Sequence, residues 1–423
     1  MPGHKKLAID GGTPAITDPL PQGAHGASLM GDEEIAAAAE VMRSQKLFRY
    51  GGTGQCEAFE KEACQWLAVR HAVFLTTGTA GLTCALAGLQ IGPGDEVIVP
   101  GYTYIATAAA VLTVGAVPVI AQIDESLGLD PQDFAAKITP YTRAVIAVHM
   151  QGVPCRLDAI RNVARERGLH VIEDCCQAVG SSYRGAKTGV GSSAGSWSLN
   201  FFKAITCGEG GLFFTSDADA FERALFQHDP ALPMWLKDRP TWHTPPFSRD
   251  CYRGNEITAA IARVQLRKLP AILAHCRGLK QRLLGRLAPS PRCYVRQHVD
   301  DPAGECGFSF AMLARTTELA QRLTAALRTE GLEIGSAYNE GFPDRHIYAY
   351  WDSIIGKNAP TPAGYPWKDP AYKGRVEYAR DMCPRTLDIL RRALRVSIHM
   401  NLRERHIDQI ADAVNKVDAG LAV

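Results

Sequence analysis

Between Ala72 and Thr215 short apolar runs alternate with segments of helical period, and this alternation restricts the possible folds more than any other feature. The runs at 72–76, 96–100, 117–121, 144–149, 170–174, 195–199 and 211–215 read as seven strands. Several of those from 96 onward lack strict polar alternation, the mark of a sheet covered on both faces. Helices are expected at 33–45, 56–68, 79–90, 156–168 and 217–227, several opening on an acidic or small polar residue. A chain that switches period in this order builds an α/β fold with a mostly parallel, doubly wound sheet of seven strands. Residues 229–254 hold five prolines and three tryptophan or tyrosine residues without a period, so a long ordered loop is expected there. Amphipathic helices at about 256–288 follow. A strand at 308–313 and a helix at 316–331 then give a smaller α+β domain, interrupted by a proline- and aromatic-rich segment at 341–373. The division is an N-terminal arm 1–30, a large domain 31–280 and a small C-terminal domain 281–423.

Charge narrows the partners. With 46 Lys+Arg against 44 Asp+Glu and no basic block, the chain lacks the concentrated positive field that nucleic acid or a membrane surface requires. The weakly polar stretch Ala108 to Ile123 is broken by Gly115 and Pro118, and no apolar core of signal-peptide length precedes Gly11. A cytoplasmic protein is expected. The 12 cysteines show no Cys-x-x-Cys spacing, so they read as reduced side chains rather than a zinc clamp.

Three constellations carry chemistry. Thr76-Thr77-Gly78-Thr79-Ala80 joins a strand to a helix, which converges free N–H groups and hydroxyls as a phosphate requires; a plain helix cap is the alternative. Glu173-Asp174 ends the strand HVIED, at the edge where parallel sheets bind ligands, although an acid there also serves as a cap. Lys203 lies among Phe201, Phe202, Ala204 and Ile205, and apolar surroundings favour the neutral, nucleophilic amine that attacks an aldehyde. A lysine that reaches over an apolar patch to water is the competing reading. His149, His228 and His399 are scattered singles with structural roles by default.

Six segments in order, TTGTAGL (76–82), GDEVIVPGYTYIATAAAV (94–111), VHMQGVPCRLDAI (148–160), VIEDCCQAVGSSYRG (171–185), SWSLNFFKAITCGEGG (196–211) and CYRGNEITAAIARVQL (251–266), resemble the DegT/DnrJ/StrS family of pyridoxal-phosphate-dependent sugar and cyclitol aminotransferases. The resemblance runs from about Leu7 to Val417. It implies fold type I, with Lys203 holding pyridoxal 5'-phosphate covalently and shuttling a proton. It also implies that Asp174 pairs with the pyridine nitrogen and that Tyr104 stacks on the ring. Gln177 then lies near the other face or the ring oxygen, and Gly78, Thr79 and Ser198 hold the phosphate. Arg253 and Asn255 lie in the stretch that reaches a neighbour's site, so a homodimer with shared sites is implied. Cys251 stands where the family commonly has asparagine, which puts that phosphate contact in doubt.

The implied reaction is ping-pong transfer of an amino group from L-glutamate or L-glutamine, through pyridoxamine 5'-phosphate, to a keto-sugar or keto-cyclitol in amino-sugar, aminocyclitol or antibiotic biosynthesis. Arg49, Arg345 and Arg375 are candidates for an anionic acceptor. The alternatives are a sugar dehydratase, whose relatives generally replace the lysine by histidine, and a non-catalytic cofactor-binding regulator, for which residues 1–55 offer no basic helix-turn-helix.

Overall fold

The structure is a computed structural model that describes residues 6–235, 241–339 and 343–421. The remainder of the expected loop at 229–254 (236–240), of the segment at 341–373 (341–342) and of the N-terminal arm (1–5) lies outside the described residues.

Seven strands, β1 (His71–Leu75), β2 (Glu96–Pro100), β3 (Val117–Ala121), β4 (Thr142–Val148), β5 (His170–Asp174), β6 (Ala194–Ser198) and β7 (Gly211–Thr215), form one sheet in the order β1-β7-β6-β5-β4-β2-β3. Neighbours from β3 through β2, β4 and β5 to β6 are parallel, whereas β7 runs antiparallel to both β6 and β1. Strands β2, β3, β6 and β7 are buried along their whole length, which accounts for the lack of polar alternation in β2 and β3.

Helices α1 (Asp32–Ser44), α2 (Gln55–Leu67), α3 (Gly78–Gly88), α4 (Ala106–Thr113), α5 (Pro131–Ala136), α6 (Leu157–Arg167) and α7 (Ala218–His228) belong to the same unit. One face of the sheet packs Val73, Ile120 and Phe213 with α3, α4 and α7. The other packs Phe74, Trp197 and Phe214 with α2 and the long helix α8 (Glu256–Arg286). Helix α6 stops at Gly168, whose φ of 66° is the left-handed cap that lets the chain turn straight into β5.

The sequence reads helices in the plural at 256–288; the structure has one, of 31 residues, with Pro270 inside it. At 1.5 Å per residue α8 spans about 46 Å. The expected domain boundary at 280/281 therefore falls within a helix. Beyond it stands a three-stranded antiparallel sheet, β8 (Tyr294–Arg296), β9 (Ser309–Ala314) and β10 (Ala393–Ser397), covered by α9 (Thr317–Thr329), α10 (Pro384–Arg392) and α11 (Glu404–Gly420). Phe310, Met312 and Val396 share a single apolar cluster with Phe74 and Trp197, so the two parts have a continuous core. No helix among the described residues is long and apolar enough to cross a membrane.

Candidate active site

The ends of β4, β5 and β6 lie in register, with Val148 beside Asp174 and Asp174 beside Ser196. The segments that leave this edge carry most of the candidate residues. Thr77 caps α3 by accepting the Ala80 N–H at 3.0 Å, which leaves the first N–H groups of the helix, those of Gly78 and Thr79, without partners inside it. A Cβ on Gly78 would stand 2.7 Å from Cys176 Sγ and 2.9 Å from Ser198 Cβ, so only glycine allows these three segments to close together. The cradle so formed offers N–H donors, a helix N-terminus and a hydroxyl, a donor set that fits a phosphate.

Asp174 is buried, and both its oxygens are engaged. Oδ1 accepts the Cys176 N–H at 3.1 Å and Oδ2 accepts Thr107 Oγ1–H at 2.8 Å. Thr107 has one hydroxyl proton, so the 2.7 Å contact between Thr103 and Thr107 must be donated by Thr103. The two hydroxyls form a one-way relay into the carboxylate. The charges of Lys203 and Asp174 both act on Cys176: burial, then Asp174, pushes its thiol well up, and the Lys203 ammonium pulls the other way. Lys203, Asp174, Gly78, Ser198 and Cys176 are thus brought into one place. Gln177, three residues past Asp174, accepts the Gln151 N–H through Oε1 at 3.3 Å. Tyr104 is half exposed, its ring 5.3 Å from that of His346.

The setting of Lys203 differs from the expected one. Phe201 and Phe202 are 53% and 75% exposed and turn their rings outward against each other, so they do not enclose the amine. Lys203 itself is half-buried, and its backbone N–H closes a turn on Asn200 O at 3.0 Å. Cys251, Arg253 and Asn255 make no hydrogen bond to Lys203, Asp174 or Gln177 among the described residues. Asn255 Oδ1 caps α8 by accepting the N–H groups of Ile257 and Thr258, and Cys251 is exposed. Arg253 pairs with buried Asp229 at 3.4 Å and lies over the Phe48 ring. Of the arginines considered for an acceptor, Arg49 is held by Glu60 at 2.6 Å and Arg345 by the Tyr350 carbonyl.

His149, Glu173 and Cys175 gather within 4.8 Å, a spacing that suits a metal. Their bonding assigns them otherwise. Glu173 already binds His149 Nε2 (2.9 Å), Arg161 (2.8 Å) and the Gly189 N–H (2.6 Å), while His149 Nδ1 accepts the Cys155 N–H. The cluster braces the strand that carries Asp174, and His149 N–H also binds the Asp174 carbonyl at 3.1 Å.

The sequence profile of the DegT/DnrJ/EryC1/StrS aminotransferase family matches residues 28–360, well over half of the chain. The chain belongs to this family. Its fold is that of pyridoxal-phosphate-dependent fold type I, and solved relatives share it along nearly their whole length. DesV of S. venezuelae is 28% identical, with 92% of this chain and 95% of that one covered at a TM-score of 0.74. DesI, solved with its TDP-sugar product, is 26% identical, with 98% and 97% covered at 0.73. 3-Amino-5-hydroxybenzoic acid synthase, at 24% identity, shares the fold with 96% and 100% covered at 0.75. Thr103, Thr107, Cys176 and Gln151 all lie in segments that carry the resemblance, but the sequence assigns none of them a role.

Proposed function

We propose that this family member is an aminotransferase that moves an amino group from L-glutamate or L-glutamine to a keto-sugar or keto-cyclitol. The convergence of Lys203, Asp174 and the Gly78–Ser198 cradle around Cys176 supports the reading most directly. Pyridoxal phosphate, when bound, supplies an electron sink for the carbanion at the donor's α-carbon. Lys203 would hold the group through its amine and would carry a proton to and from that carbon. Asp174, oriented by hydrogen bonds from Thr107 and the Cys176 N–H, would hold a proton on the ring nitrogen. The N–H groups of Gly78 and Thr79 and the Ser198 hydroxyl would hold the phosphate, with Tyr104 and Gln177 as the residues that would hold the ring. Arg253 and Asn255 would complete a neighbour's site in a homodimer.

Incubating the cofactor-loaded protein with each donor should change its cofactor absorbance, and mass analysis of a panel of keto acceptors then identifies the aminated product. Lys203→Ala should abolish turnover while the fold survives. Borohydride reduction and peptide mapping that placed the cofactor on Lys187 or Lys268 would overturn the assignment.

A further inference from the structure

Strand β4 delivers the chain to a tight turn at the domain junction, residues 150–152. Two consecutive residues there are left-handed. Gly152, at φ 83°, has no room for a side chain, since a Cβ would stand 2.9 Å from Cys306 Cβ and from Phe308 Cδ2. Gln151, at φ 56° and ψ 31°, does carry one, in a conformation that such residues rarely adopt. The small sheet holds it there. Ser309 Oγ–H, on β9, donates to the Gln151 carbonyl at 3.2 Å, and Arg395 Nη1, on β10, donates to its Oε1. Backbone strain of this kind persists only where the surroundings enforce it.

The enforced direction aims the Gln151 N–H at Gln177, where it donates to Oε1 at 3.3 Å. That contact fixes which way round the Gln177 amide lies. A backbone N–H can only donate, so the amide oxygen must face it and the NH2 arm must lie on the other side. Among the described residues Gln177 Nε2 has no hydrogen-bond partner of its own, and Gln177 stands three residues past Asp174, whose oxygens are already taken by Cys176 and Thr107. The two N–H donors are therefore open to an oxygen acceptor, and an anionic one binds them most strongly.

We propose that Gln151 is a positioning residue: its left-handed backbone fixes the Gln177 amide with the N–H arm toward the ring oxygen of bound pyridoxal phosphate. The proposal rests on the aminotransferase reading, which supplies that cofactor. With the amide reversed, the Gln177 oxygen would face an anionic ring oxygen and repel it, so the orientation decides whether one residue stabilises or opposes that charge. The small sheet, through Ser309 and Arg395, sets the turn, and the turn sets the amide.

The pH midpoint of the bound cofactor's absorbance reads this out, because a donor to the deprotonated oxygen lowers the midpoint and its loss raises it. Gln177→Leu should raise the midpoint by about one to two pH units, and Gln177→Glu, which has no donor when charged, by at least as much. Gln151→Val, whose branched side chain resists positive φ, should raise it in the same direction. Gln151→Gly adopts positive φ freely and keeps the N–H, so its midpoint should stay close to that of the wild type. A role confined to the Arg395 contact would move both alike, since both lose that contact. The charged and titratable groups nearby, Asp174, Lys203, Tyr102, Asp344, His346 and Arg395, are unchanged in every variant. Cofactor dissociation constants should follow the same order. If Gln151→Val does not fold, Ser309→Ala, which frees the turn at its carbonyl, replaces it with the same expected rise. Equal midpoints in wild type and Gln177→Leu overturn the proposal, as does a shift in Gln151→Val no larger than in Gln151→Gly. A wild-type protein that binds no pyridoxal phosphate removes the aminotransferase reading and this proposal with it, whereas a normal wild-type titration with unmoved variants removes this proposal alone.

Discussion

Asp174 shows how much of a catalytic assignment hangs on its neighbours. A carboxylate that must stay charged at 5% exposure needs donors, and it has two: a backbone N–H from Cys176 and the hydroxyl of Thr107, itself fed by Thr103. Removing a hydrogen bond to a charged group costs about 1.5–3 kcal/mol. Thr107→Val, which keeps the shape and removes the proton, should therefore slow the donor half-reaction roughly ten- to a hundredfold. It should also shift the pH dependence of the cofactor absorbance, whereas Thr107→Ser should restore both. Native rates and an unmoved absorbance titration in the valine variant would show that the N–H alone suffices. At this scale the sequence exposes Asp174 and Lys203 because each sits in a motif of fixed spacing. Thr107 stands 67 positions from Asp174, and nothing in the string marks the two as partners.

Elements were legible where one period ran cleanly. The seven strands of the large sheet and helices α1, α2, α3, α6 and α7 fall within a few residues of the expected ranges. Helix α4 (ATAAAVLT) went unread because an almost uniformly apolar segment has no polar face to give it a 3.6 period. Strand β10 is not legible in the sequence because Arg395 interrupts a five-residue run. The N-terminal arm contributes an element-scale test. His25 lies on the Phe308 ring at 4.0 Å and 3.8 Å from Cys276 Sγ, and so joins the arm to α8 and the small sheet. Burial, and then the charge of His399, lowers its pKa from 6.5 to about 4. The unfolded chain thus binds the proton more readily than the folded one. Its stabilising contribution is complete above pH 6.5 and is lost as the pH falls towards 4. At about 1.4 kcal/mol per pKa unit the loss is on the order of 3 kcal/mol. His228, also near 4, adds to it with the same sign. Urea midpoints between pH 7.5 and 4.5 should fall with acid in the wild type and fall less in His25→Phe, which keeps the ring and not the proton. Parallel curves for the two proteins would remove His25 from the account.

The whole protomer leaves apolar side chains exposed beside two of its candidate segments. Phe48, Met234 and Trp235 are 41%, 55% and 39% exposed, with Phe48 under the Arg253 guanidinium and against the Trp235 ring, while Phe201 and Phe202, also exposed, belong to the turn that carries Lys203. Apolar side chains exposed in this way are costly in water and favour burial against another surface. A second copy is the occupant that the family resemblance implies, with Arg253 of one subunit serving the Lys203 of the other. Two inactive variants should then repair each other. In a random mixture of Lys203→Ala and Arg253→Ala subunits half of the dimers are hybrid, and each hybrid has one site with both native residues, so about a quarter of the sites recover. One feature of the protomer must be controlled. Arg253 also neutralises Asp229, which is fully buried, and an alanine leaves that carboxylate without its partner. Arg253→Ala combined with Asp229→Asn removes the stranded charge, so a loss of activity that persists in the double variant reports on the site rather than on folding. If that variant is inactive, folded and dimeric, yet gains nothing when subunits are shown to exchange with Lys203→Ala, Arg253 serves its own subunit and the shared-site arrangement fails.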